Sequence, residues 1–262
     1  MAQAIGIIPA RYASTRFPGK PLANLSGKPL LQHVYERALM AARFRAVWVA
    51  TDDARIADLV AGSRAHVVMT APSHRTGTDR VAEAAARPEA GDADIIVNIQ
   101  GDQPLVDPAA LDRLVEALEI DPDLEMATLF EPVRSVEDLL DPNAAKVVAD
   151  RQGFALYFSR SPVPYYRKPG NMLNRRFETD LTDRPEGLAG FLKHVGVYAF
   201  RKQFLLEFGR LERGPLEIAE GLEQLRALES GHRIKLVPSS GISISVETPG
   251  DIRRIESLME SS

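Results

Sequence analysis

Ile5-Gly6-Ile7-Ile8-Pro9-Ala10, followed by Arg11-Tyr12-Ala13-Ser14-Thr15-Arg16-Phe17-Pro18-Gly19-Lys20-Pro21, is the stretch whose reading decides the fold. A short apolar run closed by a proline has the pattern of a fully buried strand. The loop after such a strand, at its carboxyl end, is where α/β proteins bind ligands. Arg11, Arg16 and Lys20, with backbone N–H groups, suit a polyanion such as a triphosphate. A solvated basic turn is the alternative. Two familiar phosphate loops are excluded. G-x-G-x-x-G needs three glycines where this loop has only Gly19, and the P-loop needs Ser or Thr after its lysine, where Lys20 is followed by Pro21.

Outward from this strand, elements alternate. Asn24-Leu25-Ser26-Gly27 is turn chemistry, and Pro29 is placed to open a helix carrying Leu30, Leu31, Val34, Tyr35 and Ala38 on one face. Ala46–Ala50 reads as a second buried strand, Asp53 as part of the cap of a helix with Ile56, Leu59 and Val60, and His66–Met69 as a third strand. Thr76-Gly77-Thr78-Asp79-Arg80 then opens an alanine-rich helix. Its small residues could admit a flat ring, or it could be an ordinary cap. Asp94–Gln100 reads as the central strand, ended by Gly101-Asp102-Gln103-Pro104. Asp102 then lies on the ligand edge of the sheet beside the first loop, a suitable place for a Mg²⁺ ligand, or it caps a turn. Alternation through about residue 120 predicts a mostly parallel sheet with helices on both faces.

The rhythm then changes. Met126–Phe130, Ala145–Ala149 and Phe154–Phe158 read as strands with little helix between them, the last two joined by a turn at Asp150–Gly153. Residues 159–190 read as a lid, a subunit contact or a surface insertion. His194–Phe200 resumes as a strand with His194, Gly196 and Tyr198 on one side, a plausible polar pocket wall. A helix from Pro215 to about Leu228 is expected to bury Ile218, Leu222 and Leu225, with Glu223 and Gln224 at the edge of that stripe. Ile234–Val237 and Ile242–Val246 read as late strands. Thr248-Pro249-Gly250-Asp251 caps a last helix and leaves Glu247 at a strand–helix junction like that of Asp102.

The 262 residues, 45% of them hydrophobic, suit one large α/β domain, and a net charge of −4 argues against nucleic acid as a main partner. Absence of cysteine excludes disulfides and thiolate metal sites and fits the cytoplasm. No signal peptide is expected, nor membrane insertion, since no apolar run approaches the roughly 20 residues that span a bilayer.

The runs Ile8–Leu22, Thr76–Arg80, Asn98–Pro104, Ala155–Arg160, His194–Tyr198 and Leu222–Arg226 together resemble the CMP-Kdo synthetase (3-deoxy-manno-octulosonate cytidylyltransferase) family, in order and spacing along nearly the whole chain. The resemblance implies a Rossmann-like nucleotidyltransferase fold in a single domain over residues 1–262, with a nucleotide-binding half (1–125) and a smaller antiparallel α+β half (126–262) for sugar binding and dimerisation. It implies a cytoplasmic homodimer that transfers CMP from CTP to the anomeric hydroxyl of an acidic eight-carbon sugar, 3-deoxy-D-manno-octulosonate (Kdo), with Mg²⁺, for lipopolysaccharide biosynthesis. It further implies that Arg11, Lys20 and Asp102 are catalytic. Ala10, Arg11, Ser14, Lys20, Thr76, Gly77, Arg80 and Gln100 would bind the nucleotide. Arg160, His194, Tyr198, Glu223 and Gln224 would bind the sugar, and Asp102 and Glu247 the metal.

The chain departs from the family at Glu247, where an aspartate is usual, and at Gln103, Thr76, Asp79 and Ile218. Gly101-Asp102-Gln103-Pro104 and Arg226–His232 also resemble the subfamily acting on 8-amino-3,8-dideoxy-manno-octulosonate. A nucleotide-binding protein without catalysis is the reading from another class, and the missing dinucleotide fingerprint weighs against a dehydrogenase.

Overall fold

The structure, a computed structural model, describes residues 3–13, 17–165, 188–241 and 243–260. Ser14 and residues 166–187, the greater part of the 159–190 segment, lie outside the described residues. The strands are β1 (Ala4–Ala10), β2 (Asn24–Leu25), β3 (Lys28–Pro29), β4 (Phe44–Thr51), β5 (His66–Met69), β6 (Ile95–Asn98), β7 (Met126–Pro132), β8 (Lys146–Ala149), β9 (Ala155–Ser159), β10 (Leu192–Arg201) and β11 (Ile234–Pro238). The helices are α1 (Leu30–Ala38), α2 (Ala54–Val60), α3 (Gly77–Ala85), α4 (Pro108–Ile120), α5 (Val136–Leu140), α6 (Lys202–Phe208), α7 (Pro215–Glu220), α8 (Leu225–Glu229) and α9 (Pro249–Glu260).

The main sheet runs β11-β7-β10-β6-β1-β4-β5. β1 pairs in parallel with β4 and β6, β4 with β5, and β11 with β7. β10 is antiparallel to both of its neighbours, β6 and β7. The β8–β9 hairpin joins the first residues of β10. This is the expected α/β architecture with an antiparallel portion.

Burial on both faces explains why these strands read as continuous apolar runs. Along β1, Ala4, Ile8 and Ala10 enter a core layer with Val34, Val49, Leu111 and Leu114, beneath α1, α2 and α4. Ile5 and Ile7 enter the opposite layer with Trp48, Val81, Phe200, Phe204 and Phe208, beneath α3 and α6. β10 divides likewise, with Val195, Val197 and Ala199 on the first side and Tyr198 and Phe200 on the second.

Three expectations are corrected. Pro29 does not open α1. Its ψ of 140° is extended, it closes the β2–β3 hairpin, and the helix starts at Leu30. The helix expected from Pro215 to Leu228 is two helices. Gly221 adopts a left-handed φ of 62° after α7, and the chain turns before α8. Ile218 is consequently 63% exposed, whereas Leu222 and Leu225 are buried. The strand expected at 242–246 is not formed over the described residues 243–246. Instead the Val246 N–H donates to the carbonyl of Asp102 at 2.9 Å. That bond tethers the entry to α9 at the carboxyl end of β6.

Candidate active site

The site is built where β1 and β6 end. Pro9 packs between two close backbones. A Cβ on Gly77 would lie 3.2 Å from the Pro9 ring, and one on Gly101 would lie 3.0 Å from the Pro9 carbonyl oxygen. These contacts draw the start of α3 and the turn after β6 against the first loop. That loop folds back through Gly19 N–H to the Tyr12 carbonyl at 2.9 Å. Lys20 then begins a short 3-10 turn with Pro21 buried. Its ammonium reaches Asp102 Oδ2 at 2.6 Å and donates to the Val246 carbonyl at 2.8 Å. One of its three N–H donors has no partner among the described residues. The cation after β1 and the carboxylate after β6 thus face each other.

Other residues expected on the nucleotide side have different partners. Thr76 and Asp79 form a reciprocal capping box on α3, each N–H donating to the other side chain at 3.1 Å. Arg80 is buried, donates to Thr70 Oγ1 and lies 3.3 Å from Asp52, bracing the ends of β4 and β5. Arg11 is exposed. The Arg55 guanidinium stacks over the Tyr12 ring at 3.3 Å while Asp53 holds it from the side.

Beside the Lys20–Asp102 pair opens a cavity of about 1080 Å³. Gln100, Asp102, Arg160, His194, Tyr198, Glu223, Gln224 and Glu247 line it together, whereas Ala10, Arg11, Lys20, Thr76, Gly77 and Arg80 do not. The break between α7 and α8 presents Glu223 and Gln224, so they project from a turn and not from a helix edge. A buried bidentate pair, Arg226 to Glu217 at 2.8 and 2.7 Å, holds the two short helices together behind them.

The sugar-side wall is wired to the sheet. Asn98 Nδ2 donates to Thr78 Oγ1 at 3.2 Å, and Thr78 Oγ1 donates to Glu223. Burial raises the Glu223 carboxyl pKa, with the Thr78 hydrogen bond working against it. The Tyr198 hydroxyl donates to Gln224 Oε1 at 3.1 Å, and burial, reinforced by Glu223, raises its pKa well above normal. His194 Nε2 meets Thr128 Oγ1 at 2.9 Å, and burial lowers the imidazole pKa to about 3. Asn98 Oδ1, Gln103 Oε1 and Gln224 Nε2 are sealed from solvent without hydrogen-bond partners among the described residues. Such orphaned groups cost about 1–3 kcal/mol each, and two of these three belong to residues that line the cavity, Gln103 and Gln224.

Arg160 is largely committed. It donates to the carbonyls of Glu220 at 2.6 Å, Pro142 at 2.7 Å and Gly221 at 3.3 Å. With five donors on a guanidinium, two N–H groups have no partner among the described residues. Thr78, Asn98 and Thr128 were not singled out from the sequence. The first two sit inside motifs that were quoted. Thr128 carries a weaker signal, a lone hydroxyl in the apolar run Met126–Phe130.

Asp102 and Glu247 provide the donors expected of a Mg²⁺ site, which commonly has one or two carboxylates plus substrate phosphate. The Val246–Asp102 tether brings their backbones together, and both line the cavity. Among the described residues no group of three or more His, Cys, Asp or Glu forms a metal cluster. The chemistry of the pair, two hard carboxylates on one cavity with Asp102 also beside the Lys20 ammonium, is that of a Mg²⁺ donor set completed by substrate oxygens.

The sequence pattern of the family described as Cytidylyltransferase matches residues 5–234. The 3-deoxy-manno-octulosonate cytidylyltransferase of Geobacter metallireducens is 51% identical over 251 residues, covering 95% of this chain and 94% of its own. The enzyme of the same name from Thioalkalivibrio sulfidiphilus is 47% identical over 259 residues, covering 97% of this chain and 98% of its own. A solved structure of CMP:2-keto-3-deoxy-manno-octonic acid synthetase complexed with CTP superimposes with a TM-score of 0.85 at 39% identity, covering 99% of each chain. With most of its length matched and its strand-end site assembled as described, this chain belongs to the cytidylyltransferase family.

Proposed function

We propose that this protein transfers CMP from CTP to the anomeric hydroxyl of 3-deoxy-D-manno-octulosonate, releasing pyrophosphate. The observation that carries this reading is the Lys20–Asp102 pair at 2.6 Å, on the edge of a cavity whose wall holds Arg160, His194, Tyr198, Glu223 and Gln224. The printed names of relatives near 50% identity and of the CTP-complexed neighbour support the same substrates.

The sugar hydroxyl attacks the α-phosphorus and pyrophosphate leaves in line, so no covalent enzyme intermediate is needed. The protein contributes positioning and charge. Lys20 and Arg11 offset the triphosphate charge and stabilise the leaving pyrophosphate. Ala10, Gly77 and Gln100 border the nucleotide side, which the Thr76 cap and the Arg80 brace hold in shape. The Arg160 N–H groups that have no partner among the described residues would meet the sugar carboxylate, and His194, Tyr198, Glu223 and Gln224 its hydroxyls. Asp102 and Glu247 would hold Mg²⁺, which supplies charge neutralisation at the phosphates.

The product is an activated sugar for lipopolysaccharide assembly, made in the cytoplasm. No described helix is long and apolar enough to cross a membrane. The working form is a homodimer, a reading that rests on the family resemblance. Sedimentation equilibrium tests it; a monomer at micromolar concentration counts against it.

Pyrophosphate release measured with each of four nucleoside triphosphates, each with Kdo or its 8-amino analogue, tests the reaction. Release only with CTP, Kdo and Mg²⁺ is expected. Preference for the amino sugar transfers the assignment to that subfamily, and CTP binding without release overturns it.

A further inference from the structure

β10 does not run straight past β7. Val195 faces Leu129, but the next register pair is Tyr198 with Thr128, so Gly196 and Val197 are extra residues in the ladder. The bulge turns carbonyl oxygens toward Thr128, a fully buried side chain. Thr128 Oγ1 lies 2.8 Å from the Val197 carbonyl and 3.4 Å from that of Val195. His194 Nε2 lies 2.9 Å from the same oxygen.

A threonine hydroxyl has one hydrogen. Two of its neighbours are carbonyl oxygens, which only accept, so that hydrogen goes to Val197. The contact with His194 is then a hydrogen bond only if Nε2 carries the proton and donates. The imidazole is neutral, since burial lowers its pKa to about 3, and a neutral ring with Nε2–H has an unprotonated Nδ1. Nδ1 has no hydrogen-bond partner among the described residues and is not one of the sealed orphan atoms, while the ring lines the cavity. Phe158 edge-on at 5.0 Å and Tyr198 at 5.4 Å limit rotation of the ring.

We infer that Thr128, through the β10 bulge, fixes His194 in its Nε2–H tautomer and so presents Nδ1 to the cavity as an obligate hydrogen-bond acceptor for a sugar hydroxyl. Thr128 is a positioning residue that touches no substrate. The acceptor role rests on the sugar-side reading above. The tautomer does not.

Two-bond ¹⁵N–¹H correlation spectra of the full-length protein report the tautomer directly. The wild type is expected to show His194 as Nε2–H. In Thr128→Val that pattern is lost or mixed, KM for Kdo rises about tenfold while KM for CTP stays within twofold, and Thr128→Ser restores both. An Nδ1–H pattern in the wild type overturns the inference without any variant having to fold. A tautomer unchanged in Thr128→Val overturns it as well. A changed tautomer with unchanged KM for Kdo overturns the acceptor role. Absence of any CTP-dependent turnover in the wild type would instead be the failure of the proposed reaction, visible separately from the spectrum.

Discussion

The two sides of the site are built by different means. On the nucleotide side, the described loop residues offer charge in the open: Arg11 is exposed, and Lys20 is restrained by one carboxylate and one carbonyl. On the sugar side, three polar groups answer to a buried partner in the sheet, on α3 or at the helix break: His194 to Thr128, Glu223 to Thr78 and Tyr198 to Gln224. A triphosphate supplies its own strong field and can be caught by flexible cations. A sugar is told apart by hydroxyl geometry, which needs acceptors and donors already in place. Changes on the first side should therefore act on turnover, and changes on the second on sugar affinity or on the fold.

The largest expected effect is at the junction of the two. Asp102→Asn should lower kcat by on the order of 10³ with the Kd for CTP changed only a few-fold, as separate rate and calorimetric measurements would show. Near-normal turnover would remove the metal and charge roles from this residue. Next comes the buried pair behind the helix break. Glu217→Ala leaves Arg226 unpaired in the interior and should destabilise the fold by about 3–5 kcal/mol in urea unfolding. A loss below about 1 kcal/mol would mean that the break is held by other contacts.

A smaller effect is expected at the remaining donors of Arg160. Arg160→Lys should raise KM for the sugar several-fold more than KM for CTP. Equal changes in both would erase the contrast between the two sides at this position.

A pH dependence of the fold is expected as well. The pKa of His194 is about 3 when folded, against 6.5 ordinarily, because burial disfavours the imidazolium. Well above pH 6.5 neither state is protonated and the group contributes no slope. As pH falls from 6.5 toward 3 the unfolded chain takes up the proton first, so stability declines by at most about 1.4 kcal/mol per pH unit. Comparing denaturation midpoints of the wild type and His194→Gln from pH 7 to pH 4 checks this. A His194 resonance titrating near 6.5 in the folded protein would contradict it.

The contrast between the two sides also explains what could be read from the sequence. The parallel half was legible because strands buried on both faces write uninterrupted apolar runs, and the ends of β1 and β6 carry their charges in short contiguous motifs. At Thr76 the sequence left an ordinary cap and a ring-admitting turn as alternatives, and only the fold shows that its hydroxyl oxygen accepts from the Asp79 N–H. The sugar wall depends on irregular backbone. Gly221 breaks what periodicity reads as one helix, and this exposes Ile218 while setting Glu223 and Gln224 into the cavity. The β10 bulge is likewise invisible in Val195-Gly196-Val197, which alternates like any strand, and it is the bulge that gives Thr128 its partners. Arg80 had the right charge for a nucleotide ligand, yet its guanidinium braces Asp52 and Thr70 from a buried position.

The account depends on Lys20 and Asp102 working across one shared site. A double-mutant cycle in kcat with Lys20→Met and Asp102→Asn measures this directly. If the two act as a unit, the double variant turns over CTP and sugar about as slowly as Asp102→Asn alone. If the two losses multiply as independent factors, the pair seen at 2.6 Å has no joint role in the reaction, and the central claim is wrong.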